Sequence, residues 1–155
     1  MKVVLASDNH YDIDSIKRIL NNEPMADYYL HCGDSSLLPE DISPFASVEG
    51  NNDRPSLFPR DRIVNIENHN IYIVHGHREV YFQDLRELAL KAKEKGCDIV
   101  FFGHTHCFTD VSLDGVRLIN PGSTYYNRDR SEPCYAVVYI DKNTIKVEKK
   151  VLDFK

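Results

Sequence analysis

The sequence has no apolar segment of the roughly 20 residues that a membrane-spanning helix requires. Its longest apolar run extends from Cys134 to Ile140 and is typical of a buried strand. At the amino end, Val3-Val4-Leu5-Ala6 is followed at once by Ser7, so this apolar stretch is too short for a signal peptide. We therefore expect a cytoplasmic protein with no membrane association.

Cysteine pairs with the Cys-x-x-Cys spacing are also absent. The widely spaced cysteines are Cys32, Cys97, Cys107 and Cys134. Because no secretion signal is recognised, we predict reduced thiols rather than a disulfide framework.

A surplus of basic residues is missing as well, since 19 Lys and Arg stand against 24 Asp and Glu, a net charge of −5. This balance argues against a general surface for nucleic acid or membranes. It does not exclude a small phosphorylated substrate, because local charge can oppose the total. The length of 155 residues and the 42% hydrophobic content suit a single globular domain, residues 1–155.

Short apolar runs alternate with amphipathic segments, which predicts an α/β fold with a mixed rather than purely parallel sheet arrangement. The predicted strands are 2–7, 28–31, 45–49, 62–67, 70–75, 99–102, 111–113, 116–119, 134–140 and 145–151. One predicted helix covers 13–20, with Asp12 as its N-cap. A second covers 79–95 and is expected to bury Phe82, Leu85, Ala89 and Ala92 on one face.

Side chains that can bind metal ions follow the predicted strands directly. Five of the seven histidines and three oxygen-bearing residues do so, namely His10, His75, His77, His104, His106, Asp8, Asp34 and Asn51. Ligands of open α/β sheets bind beyond the carboxyl ends of strands, where the loops converge. Carboxylate, amide and imidazole donors suit Mn²⁺, Fe, Zn²⁺, Ni²⁺ or Co²⁺ rather than a structural zinc knot.

The spacing within these clusters also indicates a shared site. In Asp8-x-His10 and His104-x-His106, alternate residues of an extended segment can face one point. A glycine precedes Asp34, Asn51 and His104, which allows a sharp turn and a close approach. Two metal ions about 3.5–4 Å apart can clamp the attacking and leaving oxygens of a displacement at phosphorus.

Five motifs occur in a fixed order along the chain, and together they resemble those of the calcineurin-like metallophosphoesterases. They are Asp8-Asn9-His10, Gly33-Asp34, Gly50-Asn51-Asn52-Asp53, His75-Gly76-His77 and Gly103-His104-Thr105-His106. The segment Asn120-Pro121-Gly122-Ser123 with Arg128 is similar to the small bacterial and archaeal phosphodiesterase branch. The resemblance implies a four-layer fold, in which two mixed β-sheets pack as a sandwich with flanking helices.

The same resemblance implies a binuclear, metal-dependent phosphoesterase, preferably a phosphodiesterase, with Mn²⁺ as the first choice of metal. The ligands of one ion would be Asp8, His10, Asp34 and His106. The ligands of the second would be Asp34, Asn51, His75 and His104. Asp34 would bridge the two ions, beside the water or hydroxide that attacks phosphorus. Asp34 and Asn51 are the catalytic residues that the resemblance implies.

One position departs from many members of this superfamily. A histidine that protonates the leaving oxygen often follows the metal-binding asparagine, whereas this chain has Asn52. The small phosphodiesterase branch commonly lacks that histidine too. A general acid typically contributes about 10²–10⁴-fold to the rate, and His77 is the nearest substitute candidate. Arg128 is either a contact to the substrate phosphate or an ordinary loop charge.

Two other functions stay open. A non-catalytic interaction scaffold on the same fold, like the retromer subunit, could lose metal ligands, but this sequence keeps all seven. A nuclease is opposed by the charge and the length.

Outside the site, we expect His31 to be a core residue, His69 to be exposed in a turn, and Asp53 to cap the turn before Pro55. The sequence identifies neither the physiological substrate nor the oligomeric state, and it leaves a homo-oligomer open.

Overall fold

The computed structural model describes residues 1–152, and within them two mixed β-sheets of five strands each form the framework. In chain order, the elements are β1 (Lys2–Ala6), α1 (Ile13–Asn22), β2 (Tyr28–His31), β3 (Ala46–Ser47), β4 (Asp61–Ile66), β5 (His69–Val74), α2 (Arg86–Glu94), β6 (Ile99–Phe101), β7 (Thr109–Leu113), β8 (Val116–Asn120), β9 (Cys134–Ile140) and β10 (Ile145–Val151). A short 3₁₀ turn at Pro39–Asp41 precedes β3.

The first sheet has the strand order β10-β9-β1-β2-β3, and the second has the order β4-β5-β6-β8-β7. In the first sheet, β1, β2 and β3 are parallel, whereas β9 runs antiparallel to β1. In the second sheet, β5, β6 and β8 are parallel and the two edge strands are antiparallel. Each sheet therefore has a set of parallel strands whose carboxyl ends can carry a site.

The two sheets share one apolar core. Val3 and Leu5 of β1 lie in the same buried cluster as Ile71 and Ile73 of β5 and Phe101 of β6, and all five are fully buried. Each fully buried side chain of this kind contributes about 1.5–3 kcal/mol. The sheets consequently pack face to face.

A helix covers the outer face of each sheet. Ile16 and Ile19 of α1 pack in a cluster with Val4, the neighbour of Val3 that points to the opposite face. On the other side, Leu88 of α2 packs in a cluster with Val100 of β6. The resulting order of layers is helix, sheet, sheet, helix, which confirms the predicted four-layer fold.

The amino end of α1 forms as predicted. The Asp12 carboxylate accepts hydrogen bonds from the backbone N–H groups of Asp14 at 3.1 Å and Ser15 at 3.3 Å. These bonds satisfy donors that the first helical turn leaves unpaired.

The prediction for the second helix was wrong over its first seven residues, since α2 begins only at Arg86. The backbone N–H of Val80 turns back to the carbonyl of Gly76 at 2.9 Å, and Phe82 has a left-handed φ of 51°. The Asp84 carboxylate accepts the Arg86 N–H at 3.0 Å, one residue before Leu85, the N-cap of the helix. Phe82 is therefore 88% exposed instead of lying on the buried helix face.

Smaller differences concern strand ends and two histidines. β3 is shorter than the predicted 45–49, and β7 begins two residues before the predicted 111–113. His69 is the first residue of β5 and its ring contacts Asp98 at 2.7 Å, so the prediction of an exposed turn residue was wrong. His31 is fully buried, as predicted.

Within residues 1–152, neither helix has the length and apolar composition needed to span a membrane. The four cysteines all have free thiols, which agrees with the sequence prediction.

Candidate metal centre

The predicted metal ligands lie in loops that backbone hydrogen bonds join to one another. The Asp8 N–H donates to the Gly33 carbonyl at 3.0 Å, and the His10 N–H donates to the Asp34 carbonyl at 3.1 Å. In the second sheet, the Gly103 N–H donates to the His75 carbonyl at 3.0 Å. The loops after β1 and β2 are therefore joined, as are those after β5 and β6, and the His104 N–H connects the two pairs by donating to Asp8 Oδ2 at 3.1 Å.

Two groups of side chains place their ligand atoms within 4.8 Å of one another. The first consists of Asp8, His10 and His106, and the second of Asp8, Asp34 and His75. Asn51 adjoins the second group, since its Oδ1 lies 3.0 Å from His75 Nε2. The His104 ring lies beside them, with its centroid 5.2 Å from that of His75. All seven predicted ligands thus lie in one cluster, in which Asp8 is common to both groups; the assignment of Asp34 as the bridge stays a prediction.

One oxygen of Asp8 is suited to hold a cation. Asp8 Oδ1 is buried and has no hydrogen-bond partner among the described residues. The Nε2 atom of His106 lies 3.3 Å from it, and those of His10 and His75 each lie 3.8 Å away. A buried carboxylate oxygen without a donor is costly, and a divalent cation among these donors would satisfy it. The donor set therefore fits the metal centre that the sequence implies.

Backbone carbonyls orient two of the imidazoles. His106 Nδ1 lies 2.7 Å from the Tyr126 carbonyl, and His75 Nδ1 lies 2.7 Å from the Cys32 carbonyl. A carbonyl can only accept, so Nδ1 carries the proton in both rings. Each Nε2 is then left to face the carboxylates, an arrangement typical of metal-binding histidines.

The carboxylates and His75 stabilise one another's charged forms. Burial alone would raise the pKa values of Asp8 and Asp34, but His75 and further hydrogen bonds lower both. Burial would likewise lower the pKa of His75, yet Asp8 and Asp34 raise it to about 9. The two carboxylates therefore attract positive charge, whether a proton on His75 or a metal ion.

Most of the predicted ligands sit in strained backbone. The φ angles are 57° at Asp8, 42° at His10, 58° at Asp34, 69° at His104 and 56° at His106. Side chains other than glycine rarely adopt this left-handed region, and such strain concentrates at functional sites.

Two glycines are required because the ligands approach their backbone closely. A Cβ at Gly50 would clash with Asp34 Oδ1, and one at Gly103 would lie 2.6 Å from Asp8 Oδ2. These contacts confirm the predicted role of the glycines that precede Asn51 and His104.

Asn52 and Asp53 hold Asp34 in place, a role that the sequence interpretation missed. Asn52 donates to both oxygens of Asp34, from its backbone N–H at 2.8 Å and its side-chain amide at 2.9 Å. The Asp53 carboxylate accepts the N–H groups of Asp34 at 2.9 Å, Gly50 at 2.7 Å and Ser36 at 2.8 Å. Asp53 thus joins two ligand loops and does not cap the turn before Pro55. The sequence feature that could have indicated this role is its position at the end of the Gly50-Asn51-Asn52-Asp53 motif.

The Asn120-Pro121-Gly122-Ser123 segment supports the centre from the second sheet. Ser123 Oγ donates to the Asp8 carbonyl at 2.7 Å. The Asn120 amide donates to the Gly103 carbonyl at 3.0 Å and to Thr105 Oγ1 at 2.9 Å. The segment is therefore more than a turn between strands, since it connects the Asp8 loop to the His104 loop.

His77 and Arg128, the weaker candidates, lie at the side of the cluster formed by His75 and His104. The His77 ring centroid is 5.4 Å from that of His75 and 6.2 Å from that of His104. Burial and the neighbouring His75 lower the pKa of His77. Arg128 is exposed and lines a cleft with His104, and its guanidinium has no ion pair among residues 1–152.

His31 lies beneath the centre and supports it. Its Nδ1 accepts the Gly33 N–H at 3.0 Å, so its Nε2 donates to Asn9 Oδ1 at 2.8 Å. Asn9 in turn donates to the Asp12 carbonyl at 3.2 Å. Burial lowers the pKa of His31 to about 4, so this ring is neutral at physiological pH.

A two-sheet sandwich with this cluster at its strand ends matches a known domain. The chain belongs to the calcineurin-like phosphoesterase superfamily, whose domain model matches residues 1–143. A probable metallophosphoesterase of Bacillus subtilis, YsnB, is 31% identical over 150 residues, which cover 95% of this chain and 89% of that protein.

Solved structures support the same fold. A predicted phosphoesterase of Streptococcus pneumoniae has a TM-score of 0.86 and 26% identity, covering 99% of this chain and 92% of that one. An archaeal phosphodiesterase has a TM-score of 0.74 and 24% identity over 96% of this chain and 99% of that one. Vps29 of Entamoeba histolytica in complex with Zn²⁺ has a TM-score of 0.72 and 20% identity over 99% of this chain and 100% of that one.

Proposed function

We propose that this protein is a binuclear, metal-dependent phosphodiesterase that hydrolyses a small phosphorylated substrate. The observation that carries the proposal is Asp8 Oδ1, a buried oxygen without a donor that faces three imidazole nitrogens. The relatives named as probable metallophosphoesterases support it. We further propose Mn²⁺ as the preferred ion, with Ni²⁺, Fe, Zn²⁺ or Co²⁺ as alternatives, and a cytoplasmic location.

The residues divide between two metal positions in this proposal. Asp8, His10 and His106 would hold one ion, and Asn51, His75 and His104 would hold the other, with Asp34 between them. When bound, such ions polarise the phosphoryl oxygens and activate the attacking water.

The chain's own groups prepare this chemistry in three ways. Tyr126 and Cys32 fix the rings of His106 and His75, so the ligand nitrogens need little reorganisation. Asn52 donates to Asp34 and fixes its carboxylate. Arg128, which has no ion pair in the described part of the chain, supplies a cation for the phosphate oxygens.

The preference for a diester rests on the resemblance of Asn120-Pro121-Gly122-Ser123 and Arg128 to the small phosphodiesterase branch. The missing general acid restricts the leaving group. Asn52 cannot protonate a leaving oxygen, so esters with stable leaving groups are the suitable substrates. His77 is the candidate proton donor because its ring lies beside His75 and His104, although burial and His75 lower its pKa and favour the neutral ring. The archaeal phosphodiesterase with the same fold is consistent with this choice.

The test is metal reconstitution. Protein stripped with a chelator should be inactive, and Mn²⁺ or Ni²⁺ should restore hydrolysis of bis(p-nitrophenyl) phosphate more than that of p-nitrophenyl phosphate. Metal analysis should give two ions per chain. Protein that binds two ions but hydrolyses neither ester would overturn the enzymatic proposal.

That negative result would favour the second candidate, a protein-interaction scaffold. Its support is the likeness in fold to Vps29. The retained cluster of seven ligands argues for the enzyme, because a scaffold has no need of an unpartnered carboxylate oxygen. No feature of the described residues favours the nuclease alternative.

A further inference from the structure

We propose that the enzyme has a subsite for an uncharged, planar aromatic ester group, reached from the metal centre past His104. The inference rests on the proposed function and defines the class of substrate. It starts from a cleft of about 240 Å³, here called the side cleft, which is lined by Val80, Phe82, Gln83, His104, Thr105 and Arg128. The side cleft therefore joins a predicted metal ligand to a free cation and an aromatic ring.

A larger cavity continues from the side cleft. It has a volume of about 630 Å³ and shares Gln83 and Thr105 with the cleft. Its apolar lining comprises Leu85, Phe102, Val111 and Leu113. Cavities of about 300–1,000 Å³ with mainly apolar walls are the usual size for small-molecule sites.

The charges in this region favour phosphate near the metal and an uncharged group farther away. Arg128 offers a cation in the side cleft itself. In the larger cavity, the charged residues Arg86 and Asp84 neutralise each other, with Arg86 Nη2 lying 2.6 Å from Asp84 Oδ2. What remains beyond the side cleft is hydroxyl, amide, thiol and hydrocarbon surface.

Phe82 favours a planar ligand. Phe82 is 88% exposed and lines the side cleft, and its φ of 51° is followed by a φ of 62° at Gln83. A bulky residue in left-handed backbone is a strained outlier, and the strain here presents an aromatic ring to solvent. Tyr81 packs edge-on against it, with ring centroids 4.5 Å apart. An exposed ring braced in this way can stack on a ligand ring.

The test uses two phosphonates that cannot be hydrolysed at an ester bond. Phenylphosphonate and methylphosphonate carry the same anionic head, so the ratio of their affinities for the Mn²⁺-loaded protein reports the subsite alone. Isothermal titration calorimetry should show phenylphosphonate binding about tenfold more tightly, because the ring is buried on binding. Equal affinities would overturn the subsite.

Variants locate the effect. Val111→Trp, on the edge strand β7, should fill the cavity and reduce the ratio below about twofold, and Phe82→Ala should reduce it about threefold. Ile63→Trp is the matched control, since Ile63 is 54% exposed on β4, the opposite edge strand of the same sheet. This control should keep the wild-type ratio. An unchanged ratio in both Val111→Trp and Phe82→Ala would overturn the proposal.

The two proposals fail differently. If methylphosphonate binds but the ring adds nothing, the subsite is wrong and the metal-dependent esterase stands. If neither phosphonate binds the Mn²⁺-loaded protein, both proposals are wrong. Because Phe82 is exposed, its alanine variant is expected to fold even if Val111→Trp does not.

Discussion

His31 and His75 are both fully buried, yet their surroundings shift their pKa values in opposite directions. His31 forms hydrogen bonds with neutral partners, the Asn9 amide and the Gly33 N–H, and burial outweighs the more distant carboxylates and lowers its pKa to about 4. His75 faces the carboxylates of Asp8 and Asp34, which outweigh burial and raise its pKa to about 9. Burial therefore does not separate a supporting histidine from a metal-binding one, whereas direct contact with carboxylates does.

The largest expected effect concerns the carboxylates that surround His75. Asp34→Asn removes one of the two carboxylates in the cluster, and we expect the Mn²⁺-dependent kcat/KM for bis(p-nitrophenyl) phosphate to fall by at least about 10²–10³-fold. Asp114→Asn is the matched control, because Asp114 has a similar left-handed φ of 52° but lies in the β7–β8 turn. Equal activity of the two variants would contradict the assignment of Asp34 to the site.

The second prediction concerns the pH dependence of stability in the metal-free protein. Below pH 6.5, the unfolded chain protonates His31 while the folded chain does not until about pH 4, so stability falls as pH falls. Above pH 6.5, the folded chain keeps the His75 proton up to about pH 9 while the unfolded chain loses it, so stability falls as pH rises. Each limb amounts to about 3 kcal/mol at 1.36 kcal/mol per pKa unit.

Urea unfolding of chelator-treated protein between pH 4.5 and 9 measures both limbs. His31→Gln should flatten the acid limb and leave the alkaline limb, and His75→Gln should do the reverse. Two limbs that respond together to either substitution would show that the histidines share one environment, contrary to the structure.

The third prediction tests how closely the loops of the centre pack. Gly50→Ala places a methyl group against Asp34 and should lower the free energy of unfolding by about 1–3 kcal/mol, with loss of Mn²⁺ affinity. Gly96→Ala is the comparison, since nothing lies within 4 Å of its Cβ position and only its φ of 72° opposes the change. Gly96→Ala should therefore keep the metal affinity of the wild type, as measured by titration calorimetry.

The smallest expected effect belongs to the region around His31. Asn9→Ala removes the acceptor of the His31 Nε2 proton and should cost about 1 kcal/mol of stability. Asn65→Ala, which removes a hydrogen bond to Asn70 on the surface, should cost less. Chemical denaturation of both variants at pH 7 makes the comparison, and a larger loss in Asn65→Ala would count against the role of Asn9.

Local sequence patterns were sufficient to predict most of the fold. Continuous apolar runs located the buried strands, and Asp12 located the start of α1, because N-capping depends on neighbouring residues alone. The prediction of the second helix was wrong at its amino end. Residues 79–85 have an amphipathic pattern, but the Val80 N–H donates to the Gly76 carbonyl and the helix begins only at Arg86.

The candidate site likewise has features that the sequence predicted and features that it did not. The motifs that contain the ligands were readable because they are patterns of neighbouring residues. The two segments with alternating ligands are not extended as predicted, since Asp8, His10, His104 and His106 have left-handed φ angles. The supports were not readable, since Asp53 acts on Asp34 and Ser123 acts on Asp8 through contacts between distant parts of the chain. Asp53 was interpreted as a local cap for this reason.

The sequence by itself determined which side chains stand at the strand ends, the family they resemble and the net charge of −5. Tertiary structure alone decided that Asp8 Oδ1 has no donor, that His31 and His75 differ in charge, and that Phe82 faces a cleft beside His104. The physical reason is distance along the chain: Ser123 and Asp8 are 115 positions apart. Only the order of strands in the two packed sheets brings such groups within hydrogen-bond range.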